Sequence, residues 1–385
     1  MRYYLIAGEA SGDLHGANLM RGLYAKDPGA DIRFWGGGLM DAVYREHQTG
    51  SGLVKDYREG AVMGYWEVLM KSRSIFRNLA ACKADILAWK PDAVVLIDYP
   101  GFNLKIARFA HENGFRVFYY IAPKVWASRE GRIKKIKAWV DRLFVVFPFE
   151  VAYFTGKGVP CIYKGNPLVD AVDRSSALQE PREAFLQRHG LPDAPYIALL
   201  AGSRQMEIRS MMPVFMAFAR QLRAREEYAH WHFVIAAAPG HGAEEYDREG
   251  QEGFVHVVSD DTYAVLRHAR AAVINSGTAS LEAALVGTPQ MVCYRVNPLS
   301  YQVMRRLIRV PYVSLVNLIL GRPAVREYLQ YDFTPEKLLA EAVQLVGDAS
   351  YRAAMLAEYA QVRALLGGGG ASESVAEAMV TYSVS

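Results

Sequence analysis

One local pattern recurs along most of the 385 residues and restricts the fold more than any single motif: a short apolar run, a Gly- or Pro-bearing loop, then a helical stretch. In the first half the runs fall at 3–7, 32–35, 93–98, 115–121 and 142–147, each rich in Val, Ile, Phe or Tyr and none alternating apolar with polar. A strand with one wet face alternates, so these runs predict strands buried on both faces, as in a parallel sheet with helices on either side. Strands separated by helical stretches predict an open α/β sheet.

Prolines, charges and polar residues interrupt the pattern at 166–192, which predicts a hinge; the runs then restart at 196–200, 232–238, 254–258, 272–275 and 290–294. Two Rossmann-like halves of similar size result. The expected division is an N-terminal domain over 1–168, a C-terminal domain over 169–366, and a closing segment over 367–385. In that segment a run of four glycines serves as a joint for a last helix, free to dock back on the first domain. Ligands on such sheets lie beyond the carboxyl ends of the strands, so two facing sheets predict one interdomain cleft.

A formal net charge of +4 with 22% charged residues gives no sign of a nucleic-acid partner. Cys82, Cys161 and Cys293 lie far apart without a CxxC pair, which predicts reduced thiols rather than a disulfide framework or a zinc site. The first apolar run is too short for a signal peptide, and no stretch approaches the ~20 apolar residues of a membrane span. Any membrane contact is therefore expected to be peripheral.

Candidate chemistry gathers at strand-to-helix loops. The first, GEASGD at 8–13, combines glycines that let the backbone approach a ligand with the free N–H groups of a helix start; Glu9, Ser11 and Gly12 are its candidate ligand residues. A tight turn capped by Ser11 or Asp13 is the competing role. Asp98 ends the third run; desolvation at a strand end would raise its pKa and make it a better general base, whereas a turn or helix-capping acid is the plainer alternative. In the second half Gly202, Ser203 and Arg204 pair a glycine turn with a permanent forked cation suited to phosphate. Ser276, Gly277 and Thr278 form another such turn, and Glu282, one helical turn on, suits ribose hydroxyls. Together the two turns point to a nucleoside diphosphate. No DxD triplet occurs, so no metal is expected: arginine and helix N-termini would stabilise the leaving group.

Two basic stretches have apolar residues at helical spacing. In 129–142 Arg132, Lys134 and Lys135 flank Ile133 and Ile136; in 299–310 Arg305 and Arg306 flank Val303 and Leu307. Such helices fit an anionic membrane surface, or else a solvated helix whose apolar side faces the core. Met63, Trp66, Val68 and Leu69 form a Met- and aromatic-rich patch that fits either acyl chains or a core.

The strings AGEASGD (7–13), MGYWEVL (63–69), PDAVVLIDYPGFN (91–103), IAPKVWAS (121–128), FPFE (147–150), AGSRQMEI (201–208), SGTASLE (276–282) and YVSLVNLILGR (312–322) occur in an order that resembles the lipid-A-disaccharide synthases to about residue 330. The resemblance implies a GT-B fold, an α/β architecture of two Rossmann-like domains whose parallel sheets face an interdomain cleft. It implies an inverting glycosyltransferase that joins UDP-2,3-diacylglucosamine to 2,3-diacylglucosamine 1-phosphate. The products are the β-1,6 lipid A disaccharide 1-phosphate and UDP. It also implies a peripheral protein on the cytosolic face of the inner membrane of Gram-negative bacteria, with homo-oligomerisation left open. By resemblance Asp98 is the base, His15 its rival, and Arg204 the diphosphate partner. Ser276, Gly277, Thr278 and Glu282 form the nucleotide loop, Asn317 lies near the same cleft, and Glu9 and Ser11 lie beside a sugar. Departures are AGSR for the commoner PGSR, Lys124 in a string that usually lacks a charge, and Asn166 where His is frequent. The rival functions are an isomerase akin to UDP-N-acetylglucosamine 2-epimerases and a non-catalytic nucleotide- or lipid-binding protein.

Overall fold

The computed structural model of the chain describes residues 1–59, 67–238, 241–246, 252–297, 301–302 and 310–384. Two compact units emerge, one of residues 1–170 with 368–385 and one of residues 171–367. In the first, seven strands run parallel: β1 (Arg2–Ala7), β2 (Asp31–Gly36), β3 (Leu53–Asp56), β4 (Ala93–Ile97), β5 (Arg116–Tyr120), β6 (Arg142–Val145) and β7 (Cys161–Tyr163). Their order across the sheet is β3-β2-β1-β4-β5-β6-β7. The second unit holds six more parallel strands: β8 (Tyr196–Leu200), β9 (His232–Ala237), β10 (Val255–Ser259), β11 (Ala271–Asn275), β12 (Gln290–Tyr294) and β13 (Arg326–Leu329), in the order β10-β9-β8-β11-β12-β13.

The non-alternating runs are strands inside the sheets, except 254–258, which is the half-buried edge strand β10. Every residue of β4, β8 and β11 is buried. Tyr4 stays in this core because its hydroxyl is satisfied: it donates to Asp85 Oδ2 at 2.7 Å and accepts from Trp35 Nε1 at 2.9 Å, while Arg33 forks onto the same carboxylate. The strands absent from the sequence pattern are β3, β7 and β13, all at sheet edges. They are three or four residues long and largely half-buried, so they need no apolar run.

The boundary between the two units, after Asp170, falls inside the stretch 166–192. That stretch carries helices Pro167–Asp173 and Arg182–His189, and Asn166 is buried, donating to the Val146 carbonyl and accepting from Leu168 N–H. The last glycine of the run is held. The Asp170 carboxylate accepts the N–H groups of Gly370, Ala371 and Ser372 and so anchors the start of helix Ala371–Val384. That helix lies along helix Ala10–Lys26 with Val375, Ala376 and Met379 buried, and Lys26 pairs with Glu373 at 3.0 Å. Among the described residues no helix is long and apolar enough to cross a membrane.

In each sheet the strand order reverses beside the first strand, between β1 and β4 and between β8 and β11. Connections leave such neighbours in opposite directions and open a crevice at their carboxyl ends. Ala7 pairs with Ile97 and Leu200 with Ile274, so the loops after β1 and β4, and those after β8 and β11, flank the two crevices.

Candidate active site

At the first crevice the loop after β1 is shaped by close approach. A Cβ on Gly8 would lie 2.4 Å from the Tyr99 ring, so only glycine lets that ring cover the loop. Glu9 is the N-cap of helix Ala10–Lys26 without a side-chain capping bond; Glu9 and Ser11 are exposed, and Gly12 is packed against Ala7. Asp13 plays no part in ligand access. It is buried, and its carboxylate accepts the N–H groups of Gly37, Leu39 and Met40 at the start of helix Gly38–His47.

Beyond β4 the backbone makes an unusual turn. Asp98 and Tyr99 both have positive φ, 43° and 46°, a region L-residues occupy at a cost of about 1–3 kcal/mol each. The turn is held through the Asp98 carbonyl, which accepts from Tyr119 Oη at 2.7 Å and Asn103 Nδ2 at 2.8 Å; the same amide also reaches the Ile97 carbonyl at 3.1 Å. The carboxylate is thus left at the strand end, half-buried, with a hydrogen bond from Tyr99 N–H but none from a side chain among the described residues. Burial raises its pKa; the Lys124 charge pulls the other way, Glu9 adds to the rise, and Arg132 opposes it more weakly. The loop bearing Lys124 is tied down by Glu150, a buried acid that accepts from Trp126 Nε1 and from the N–H groups of Val146 and Phe147. Burial pushes its pKa up to about 6 despite those donors.

At the second crevice Gly202 has φ 107°, and a Cβ there would meet Glu207 Oε2 and Asn275 Nδ2 within 2.5 Å. Glu207 organises the turn, accepting from Ser203 N–H at 3.1 Å and from Arg204 Nη1 at 3.3 Å. Arg204 is the N-cap of helix Gln205–Arg223, and its side chain is 76% exposed, so most of its fork is open to an anion. Gly277 caps helix Thr278–Val286, where Thr278 is exposed. Glu282, in the second turn of that helix, accepts from Tyr263 Oη at 3.0 Å, and burial raises its pKa. Glycine turns, a cation and an acid therefore stand together at the crevice of this sheet, an arrangement suited to a nucleoside diphosphate.

The lipid-A-disaccharide synthetase family model matches residues 3–375. The lipid-A-disaccharide synthase of Syntrophus aciditrophicus is 38% identical over 98% of this chain and 96% of its own length, and that of Geobacter sulfurreducens 39% identical over 97% and 95%. The chain belongs to the lipid-A-disaccharide synthase family. It is a GT-B glycosyltransferase of lipid A biosynthesis. Distant structures share the fold alone. UDP-GlcNAc 2-epimerase from Neisseria meningitidis bound to UDP-GlcNAc aligns with TM-score 0.70 at 13% identity over 99% of this chain and 100% of that one. The glycosyltransferase SnogD from Streptomyces nogalater aligns with TM-score 0.55 at 18% identity over 99% of both.

In this lipid-A-disaccharide synthase family member several of the candidate residues hold the loops in place. Asn317 is fully buried and makes no open contact: its amide donates to Val325 O and Glu327 Oε1 and accepts from the N–H groups of Ala324 and Val325, which fills its four positions. Its influence passes through Glu327, whose carboxylate holds the N–H groups of Val313 and Ser314, and the Val313 carbonyl in turn takes the Ser276 hydroxyl. Ser276 N–H is spent on the Cys293 carbonyl, so Gly277 and Thr278 are the better placed donors for phosphate. In helix Arg132–Trp139, Ile133 and Ile136 are buried, so the apolar side serves the core and only a basic side remains, with Lys134 and Lys135 exposed. Arg132 is half-buried within electrostatic reach of Asp98 and Tyr119. Met63, Trp66, Arg305 and Arg306, and the side chains of Val68 and Leu69, lie outside the described residues. Glu207, Glu327, Tyr119 and Asn103 carry weight that the sequence did not announce, although Glu207 and Asn103 both sat inside noted strings.

His15 is buried with 9% exposure, its Nδ1 has no hydrogen-bond partner among the described residues, and burial lowers its pKa to about 4. Folding therefore favours the neutral imidazole. The unfolded chain binds the proton from about pH 6.5 downward, so this group's contribution to stability is complete above pH 6.5 and is lost as pH falls toward 4, a change of up to about 3 kcal/mol. Denaturation of His15→Asn across that pH range is expected to show a correspondingly shallower acid loss than the parent. Identical slopes would mean that His15 titrates normally.

Proposed function

We propose that the enzyme transfers the diacylglucosaminyl group of UDP-2,3-diacylglucosamine to the 6-hydroxyl of 2,3-diacylglucosamine 1-phosphate with inversion. The acceptor oxygen attacks the anomeric carbon and its proton passes to the Asp98 carboxylate. The bond to the diphosphate breaks with its electron pair leaving on UDP, and attack opposite the leaving group turns α into β. The observation that carries this is the position of Asp98: a carboxylate with raised pKa, left open at a crevice by a strained turn that other residues hold. His15 is the weaker candidate because burial leaves its ring little access to a substrate hydroxyl. Arg204 and the free N–H groups at Gly277 and Thr278 would neutralise the departing diphosphate, and Glu282 would accept from the ribose. The chemistry assigned to these groups calls for no metal. Lys124 and Arg132, both felt by the Asp98 carboxylate, suit the acceptor phosphate.

Asp98→Ala is expected to leave UDP affinity nearly unchanged and to lower turnover at least ~100-fold, the low end for a general base. The acid limb of the parent's pH–rate profile should sit above the ordinary carboxylate range, since the base works only when ionised, and should vanish in the variant. Undiminished turnover would remove Asp98 from the chemistry and promote His15.

We further propose that the protein works at the cytosolic face of the inner membrane, with the exposed basic side of helix Arg132–Trp139 against anionic headgroups. Neutralising Lys134 and Lys135 together is expected to reduce cosedimentation with phosphatidylglycerol vesicles at low salt. Equal sedimentation would exclude that contact.

A further inference from the structure

At the end of the second sheet away from the nucleotide turns, the segments that lead into β8, β11 and β12 enclose a recess of about 490 Å³. Its walls carry Arg182, Arg267, Arg270 and Arg352, with Asp193 the sole carboxylate and His268 beside them. The volume falls in the range of small-molecule sites.

The charge in this recess is not balanced by its own walls. Arg182 meets Asp193 at 3.4 Å, but that carboxylate is 85% exposed, and the guanidinium otherwise donates to the carbonyls of His268 and Ala194. Arg352 donates to the carbonyls of Arg270 and Leu345 and to no carboxylate among the described residues. The side chains of Arg267 and Arg270 have no hydrogen-bond or ion-pair partner among the described residues, and both are exposed. Helices Thr262–His268 and Thr278–Val286 both end at the recess, and each helix terminus supplies roughly half a negative charge. Those two ends with one acid offset about half of four guanidiniums. The remainder is felt: burial and the charge of Arg270 press the Arg352 pKa down. His268 Nε2 is buried without a partner.

Four forked cations around a cavity, in excess over any local anion, match the geometry of phosphate oxygens. We infer that this recess is a second anion site, which takes a multiply charged phosphate group such as a pyrophosphate or phosphate monoester and is separate from the nucleotide turns. The ligand chemistry is the same whether the phosphate is free in solution or the headgroup of a phosphatidate-like lipid.

The test is calorimetric titration of the full chain with inorganic pyrophosphate while UDP is saturating, comparing the parent with Arg204→Ala and with the double variant Arg267→Ala/Arg270→Ala. Those last two side chains are exposed and unbonded, so the fold should persist, which unchanged thermal melting would verify. Expected is a pyrophosphate site that survives Arg204→Ala and weakens at least about tenfold in the double variant, with partial recovery in Arg267→Lys/Arg270→Lys. A parallel arm uses phosphatidylcholine vesicles with and without phosphatidate. Binding confined to phosphatidate vesicles and lost in the double variant assigns the site to a lipid headgroup, and binding of pyrophosphate assigns it to a free phosphate. If neither probe responds to the double variant, the site does not exist.

Discussion

Asp98 and Tyr99 hold two consecutive positive φ values at the end of a fully buried strand, and they stay there because Tyr119 and Asn103 both donate to the Asp98 carbonyl. Without those donors the turn would relax toward ordinary extended or helical backbone, at a gain of a few kcal/mol. The carboxylate would then leave the strand end. The Tyr119 bond is possible because β5 runs parallel to β4 and brings Tyr119 opposite Leu96, and the Asn103 bond because the helix after the turn carries that amide back over it. A local strain is thus secured by sheet register, and the register follows from strands buried on both faces.

The second unit solves a similar problem with different residues. Its glycine turn after β8 is drawn around Glu207, and its turn after β11 is tethered through Ser276 to Val313 and on to Glu327 and Asn317. The groups left open, Arg204 and the helix start at Thr278, are those that the buried network does not consume. In both units the polar side chains with the most hydrogen bonds are the supports, and the ones with few are candidates for substrate.

That division explains what the sequence could and could not tell. Central strands were legible because burial on two faces demands an unbroken apolar run, as in β4 and β8. Edge strands β3, β7 and β13 were not, because half-burial over three or four residues leaves no such run. Loops with glycine and charge revealed where a ligand could sit, since Gly8 and Gly202 are glycines for reasons of close approach. The roles within a loop were harder to read. Asn317 was expected beside the nucleotide cleft and Asp13 as the cap of its own turn, but partners seven to ten positions from Asn317 and 24 to 27 positions from Asp13 consume them. The basic stretch around Arg132 shows the same limit: its apolar spacing is equally that of a core-facing helix, and only burial distinguishes the two.

The transfer proposed for this enzyme uses Asp98 as base and the anion cradle around Arg204 for the leaving group, with no metal ion in either role. It is tested most directly by mass spectrometry of the products formed from UDP-2,3-diacylglucosamine and 2,3-diacylglucosamine 1-phosphate with a chelator present. The expected products are the tetra-acyl disaccharide 1-phosphate and an equal amount of UDP, with no change in the donor when the acceptor is left out. An epimerised or hydrolysed donor sugar in the absence of acceptor, or no disaccharide until a divalent ion is restored, would contradict it.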